Sequence, residues 1–172
     1  MIMRSGQQLL LPASPLFIGA SLLAALLLNM LPISQQAWMP DLLALTLLFW
    51  TVHQPLRVGI GAAFCFGLVM DVQQSALLGQ NALSYTALSF LGIMVHRRLL
   101  WFAVPTQALQ LLPLLLATQV LELIVRLIAG DGFPLWSTWL SPLLQALLWP
   151  LASVLLLMPQ RRAPDPDANR PL

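Results

Sequence analysis

The sequence predicts an all-α, polytopic integral membrane protein with six transmembrane helices. Hydrophobic residues make up 59% of the 172 residues and charged residues only 8%, whereas soluble domains carry about 25% charged residues. Six apolar runs are separated by short polar segments, and most of the runs approach the roughly 20 residues that a membrane helix needs. The formal net charge of +2 is small and scattered along the chain, which excludes a nucleic-acid-binding surface.

The six spans form a single membrane domain over residues 15–158. They are predicted at about 15–31, 40–53, 56–72, 78–95, 102–129 and 140–157. Pro32 and Pro159 end the first and last spans, and the run His96-Arg97-Arg98 stops the fourth. The fifth span is long and interrupted by Pro105 and Pro113, since proline breaks the hydrogen bonding of a helix interior.

The second span is short, so a half-helix or a re-entrant segment competes with a full crossing. Its residues cover only about 20 Å of a hydrocarbon core about 30 Å thick. Arginine placement favours a full crossing. Six spans with an inside N-terminus put seven arginines in cytoplasmic segments and none in the outer loops. This is the distribution that the positive-inside rule expects. These arginines are Arg4, Arg57, Arg97, Arg98, Arg161, Arg162 and Arg170. Both termini are therefore predicted inside, with a cytoplasmic segment at 1–14 and a proline-rich, disordered tail at 159–172.

The third span carries small residues at every fourth position. Gly59, Ala63, Gly67 and Asp71 share one face of a helix, and small residues in this register let a second helix approach closely. We expect this stripe to pack against a neighbouring helix, either within the bundle or on a partner protein. Asp71 at its end either marks the outer headgroup level or faces the bundle and binds a partner group.

A second set of charges lies on the fifth span. Glu122 and Arg126 are four residues apart and can pair on one helix face, and the topology puts Asp71 at a comparable depth. The predicted cluster of Asp71, Glu122 and Arg126 fits a buried ion pair that fixes helix register, a ligand or partner site, or, least favoured, a proton path. If Asp71 pairs with Arg126, their double substitution should be milder than the sum of the single ones.

The chain resembles the rod shape-determining protein MreD family in its central part. The resembling segments are Pro40-Asp41-Leu42-Leu43, Leu48-Phe49-Trp50, Leu78-Gly79-x-x-Ala82-Leu83 and Leu148-Trp149-Pro150, together with a motif in the third span and its flanks. The motif consists of Pro55, Arg57, Gly61, Phe64, Gly67, Asp71 and Gly79.

The resemblance implies a non-enzymatic inner-membrane component of the bacterial elongation (rod) complex, which maintains rod cell shape and helps organise lateral peptidoglycan synthesis. Implied partners are MreC, a single-span protein with a periplasmic domain, the glycosyltransferase RodA, a class B penicillin-binding transpeptidase, and MreB on the cytoplasmic side. Membrane lipid surrounds the chain, and no cofactor, metal or catalytic residue is expected.

The family is also similar in fold to the substrate-binding subunits (S-components) of energy-coupling-factor transporters. That similarity implies an alternative function as a vitamin-binding membrane subunit of such a transporter. Asp71, Glu122 and Arg126 would then line a polar outer pocket.

Overall fold

The computed structural model describes residues 14–32, 36 and 38–160, which form six α-helices and no β-strand. The predicted all-α fold is therefore confirmed. The N-terminal segment before Ser14 and the tail beyond Gln160 lie outside the described residues, and so do Arg4, Arg161, Arg162 and Arg170. The helices are α1 (Pro15–Asn29), α2 (Leu42–His53), α3 (Ile60–Gln73), α4 (Gln80–Leu99), α5 (Val104–Ile128) and α6 (Leu140–Leu157).

The third and fourth helices differ most from the predicted spans: α3 begins four residues later, at Ile60, and α4 ends four residues later, at Leu99. The chain between α2 and α3 turns, with the amide of Val58 donating to the carbonyl of Gln54 at 3.1 Å. Gly59 was predicted to belong to the helical stripe. It is instead the extended residue that precedes α3. Helix α4 continues through Arg97 and Arg98 to Leu99, because basic side chains are favourable in the last turn of a helix.

The helices alternate in direction, so that α1, α3 and α5 end where α2, α4 and α6 begin. Two hydrogen bonds between helices fix this arrangement: Gln80 of α4 donates to Glu122 of α5 at 3.1 Å, and Ser141 of α6 donates to the carbonyl of Met39, just before α2, at 2.9 Å. We call this end of the bundle the cavity end. The opposite end, which carries Arg57, Arg97 and Arg98, is the arginine end.

Helices α2 and α4 form the centre of the bundle. Helix α2 packs against α1, α4 and α6, while α4 packs against α2, α3 and α5. Nine of the twelve residues of α2 are buried, and the side chains of Trp50 and of Trp149 on α6 are completely enclosed. The short second span is thus surrounded by protein. A helix of only about 18 Å is tolerated there, because its backbone hydrogen bonds are satisfied and it does not face lipid along its length.

The outward surface of the bundle is strongly apolar. Helix α5 and the segment Trp136–Gln160 are long and apolar enough to cross a membrane, whereas α1, α2 and α3 are apolar but shorter. Leu109, Leu147 and Leu155 have exposed fractions of 71%, 75% and 65%. Soluble monomers rarely expose large contiguous apolar patches, so this surface is typical of contact with lipid. Six complete crossings with both termini inside stay a prediction.

Candidate functional site

The small-residue face of α3 packs closely against α4. An added Cβ at Gly67 would lie 2.3 Å from the Cα of Ala82 and 2.8 Å from the carbonyl oxygen of Asn81. Ala63 on the same face is fully buried. The sequence left open whether this stripe packs within the bundle or on a partner protein. The structure shows contact within the bundle, and α4 covers the face from Ala63 to Asp71.

Asp71 is fully buried and caps the start of α4. Its carboxylate accepts hydrogen bonds from the backbone amides of Gly79 at 2.8 Å, Asn81 at 2.7 Å and Ala82 at 3.4 Å. The first amides of a helix have no partner within the helix, and an anion is favourable at that end. Gly79 has a φ of +104°, which glycine adopts without strain. The sequence left open whether Asp71 pairs with Arg126, and in the structure these amides bind its carboxylate.

Glu122 and Arg126 form the ion pair that their spacing predicts. The guanidinium of Arg126 lies 3.4 Å from Oε1 of Glu122, and Gln80 donates to the same oxygen at 3.1 Å. The second carboxylate oxygen, Oε2, accepts no hydrogen bond from any residue that the structure describes. The two side chains keep exposed fractions of 36% for Arg126 and 19% for Glu122, and both face an open space.

That space is a cavity of about 540 Å³ at the cavity end. Its polar and charged lining includes Asn29, Asp41, Gln73, Gln74, Asn81, Ser84, Tyr85, Gln119, Glu122, Arg126, Ser141 and Gln145. Asp71 does not line it, so the expected three-residue cluster is divided: Glu122 and Arg126 face the cavity, and Asp71 lies behind its wall. Among the described residues, no group of His, Cys, Asp and Glu side chains is suited to hold a metal ion.

The second carboxylate of the cavity belongs to Asp41, which was not among the predicted site residues. Asp41 caps α2 by accepting from the amide of Ala44 at 2.9 Å. It also accepts from the side-chain amide of Asn29 on α1 and from the hydroxyl of Tyr85 on α4. One carboxylate therefore joins three helices. An aspartate directly before an apolar run is a helix-start pattern, and this pattern could have identified its capping role.

The other motif residues lie away from the cavity. Pro55 and Arg57 belong to the turn before α3 at the arginine end. Gly61 and Phe64 lie on the exposed side of α3, where an added Cβ at Gly61 would meet no atom of the described residues within 4 Å. Packing within the chain thus explains the small size of Gly67 but gives no reason for a glycine at position 61.

Known proteins match most of this chain. A family model described as rod shape-determining protein MreD matches residues 12–158, a range that includes all of α1 to α6. The rod shape-determining protein MreD of Haemophilus influenzae is 29% identical over 129 residues, which cover 73% of this chain and 77% of that protein. No solved structure matches, and the similarity in fold to energy-coupling-factor S-components stays a prediction.

Proposed function

Because the chain belongs to the rod shape-determining protein MreD family, we propose that it is a non-enzymatic, multi-pass protein of the bacterial inner membrane that maintains rod cell shape by binding MreC. The observation that carries this proposal is the extent of the family match, since residues 12–158 include the whole helical bundle. Through MreC the chain would help organise lateral peptidoglycan synthesis by RodA and a class B penicillin-binding transpeptidase. A link to MreB would lie on the cytoplasmic side, either direct or through another protein.

The membrane orientation is part of the proposal. Arg57, Arg97 and Arg98 are exposed at one end of the bundle, which the positive-inside rule assigns to the cytoplasm. Arg126 is the described arginine at the opposite end, and its charge is paired with Glu122. The cavity end would then face the periplasm, on the side where MreC has its periplasmic domain.

We place the MreC contact on the exposed side of α3. This helix packs mainly against α4, so its opposite side is not covered by another described helix. Ile60, Phe64 and Val69 are exposed there, with Gly61 between the first two. A glycine on an apolar membrane-level face permits close approach of another helix. This proposal keeps the predicted docking helix but moves the contact from the buried stripe to the opposite face.

The test is co-purification of the tagged full-length chain, extracted gently from its own membranes, with three matched variants. Gly61→Leu should fold normally and lose MreC, because the new side chain enters open space within the chain but blocks a partner helix. Gly19→Leu, on α1, also adds a side chain where nothing lies within 4 Å, and it should keep both MreC and rod shape. Gly67→Leu should reduce the amount of folded protein.

Each outcome has a definite meaning. Retention of MreC and rod shape by Gly61→Leu would refute the contact on α3. Recovery of no wall-synthesis protein by the unmodified chain would refute the proposed function itself.

The polar cavity favours one alternative function, the vitamin-binding subunit of an energy-coupling-factor transporter. Such a subunit needs a polar pocket at its outer side, and Glu122 and Arg126 line a cavity there in the proposed orientation. Family membership favours the shape-determining role. Co-purification of a transporter core with ATPases, without wall-synthesis proteins, would reverse this preference.

A further inference from the structure

The cavity has the size and the groups of a binding site, which a purely structural membrane component does not require. Its volume of about 540 Å³ falls within the range of about 300–1,000 Å³ that is usual for small-molecule sites. Ionisable side chains at membrane depth usually pair with one another. In this cavity, polar atoms of Glu122 and Arg126 have no partner among the described residues.

Two groups provide the unused hydrogen-bonding capacity. Oε2 of Glu122 accepts no hydrogen bond from the described residues, and only one nitrogen of Arg126 contacts Glu122, at 3.4 Å. The other guanidinium nitrogens make no hydrogen bond to a described residue and are available as donors. The cavity thus presents a charged acceptor, Oε2 of Glu122, and a charged donor, the guanidinium of Arg126.

The charges restrict the class of ligand. Two carboxylates, Asp41 and Glu122, and one guanidinium, Arg126, line the cavity, which leaves a formal excess of one negative charge. A ligand that carries only negative charge would be repelled by this excess. A ligand with only a cation would leave the nitrogens of Arg126 unused. A group with both an ammonium and an anion satisfies the two sides, because charge-assisted hydrogen bonds form at each.

From this complementarity we infer that the cavity binds a zwitterionic group, with an ammonium on Oε2 of Glu122 and an anionic oxygen on the free nitrogens of Arg126. The negative charge of Asp41 also attracts the ammonium, while its carboxylate accepts hydrogen bonds from Asn29, Ala44 and Tyr85. The same chemistry occurs in an ethanolamine-phosphate lipid headgroup and in a soluble zwitterion. The inference depends on the cavity alone and stands independently of the MreC contact.

The first experiment identifies the lipid source. The purified full-length chain is equilibrated with equimolar phosphatidylethanolamine and phosphatidylglycerol, and retained lipid is measured by native mass spectrometry. If a headgroup is the ligand, phosphatidylethanolamine should be retained preferentially. Glu122→Gln and Arg126→Gln should each weaken this retention by roughly tenfold or more. The matched controls Asp131→Asn and Arg98→Gln change the same charges outside the cavity, and both should retain the lipid as the unmodified chain does.

The second experiment tests the soluble source. In detergent without phosphatidylethanolamine, glycerophosphoethanolamine should raise the unfolding temperature of the chain, and glycerophosphate, which lacks the ammonium, should not. Stabilisation in this experiment without lipid preference in the first would identify a soluble zwitterion.

The proposal fails if the unmodified chain shows neither lipid preference nor ammonium-dependent stabilisation. It also fails if the two cavity variants bind as well as the two controls. Both experiments compare ligands on the unmodified chain, so they decide the question even where Glu122→Gln or Arg126→Gln does not fold.

Discussion

Replacing Gly67 with alanine is expected to destabilise the folded chain by about 3 kcal/mol, because the added methyl group has no room. Its Cβ would lie 2.3 Å from the Cα and 2.6 Å from the amide nitrogen of Ala82. Real Cβ atoms essentially never approach closer than 3.0 Å, and these neighbours are backbone atoms, so relief requires α3 and α4 to separate. Separation would also lengthen the hydrogen bonds that Asp71 accepts from the amides at the start of α4. The higher helix propensity of alanine offsets only about 1 kcal/mol of this destabilisation.

Thermal unfolding in mild detergent, followed by tryptophan fluorescence, measures this effect. Trp50 and Trp149 are enclosed in the core, so their emission reports loss of packing. For a chain of this size, about 3 kcal/mol corresponds to a midpoint lower by roughly 6–12 °C. Gly61→Ala is the matched control on the same helix, and its midpoint should equal or exceed that of the unmodified chain. Equal midpoints for Gly67→Ala and Gly61→Ala would refute the close-packing argument.

Three further predictions concern Asp71 and the membrane orientation. Asp71→Ala should destabilise the chain by about 3 kcal/mol in the same unfolding assay, because it leaves three amides without their acceptor; a midpoint like that of the unmodified chain would contradict the capping role. Asp71→Asn and Arg126→Gln should be additive within about 0.5 kcal/mol in a double-mutant cycle, because Arg126 pairs with Glu122; strong coupling would indicate a direct contact. In a background without the native cysteine, a membrane-impermeant maleimide should label Asp131→Cys in spheroplasts and Arg98→Cys only after lysis, and the reverse pattern would invert the proposed orientation.

Sequence periodicity predicted the helices and one of their contacts. Apolar runs located all six described helices, and the four-residue spacing of Ala63 and Gly67 predicted a close helix approach that the structure shows against α4. The i,i+4 spacing likewise predicted the pair of Glu122 and Arg126. These features depend on residues near one another in sequence, where helix geometry alone fixes which side chains share a face. The match of residues 12–158 confirms the resemblance to the MreD family.

Glu122 and Arg126 were predicted to line an outer pocket, but the rest of the cavity lining could not be predicted, because it comes from helices distant in sequence. Asn29, Asp41 and Tyr85 are separated by 12 and 44 residues along the chain and meet at one carboxylate. Periodicity shows that such polar residues lie in apolar helices but not which of them face one another. The partner of Asp71 was left open for the same reason. A pair with Arg126 was one possibility, whereas the folded chain supplies backbone amides from the start of the next helix.

The buried stripe of α3 and the cavity are mechanically connected through Asp71. Its carboxylate holds the amides of Gly79, Asn81 and Ala82, and the turn of α4 that these amides begin contributes Asn81 and, one turn later, Tyr85 to the cavity wall. The tight contact at Gly67 fixes the distance between the same two helices. Substitutions that loosen this contact should therefore weaken ligand binding in the cavity as well as stability, although neither Gly67 nor Asp71 lines it. Loss of cell shape in such variants therefore does not locate a partner surface on α3, whereas a side chain added at Gly61, which would meet no described atom within 4 Å, separates the two effects.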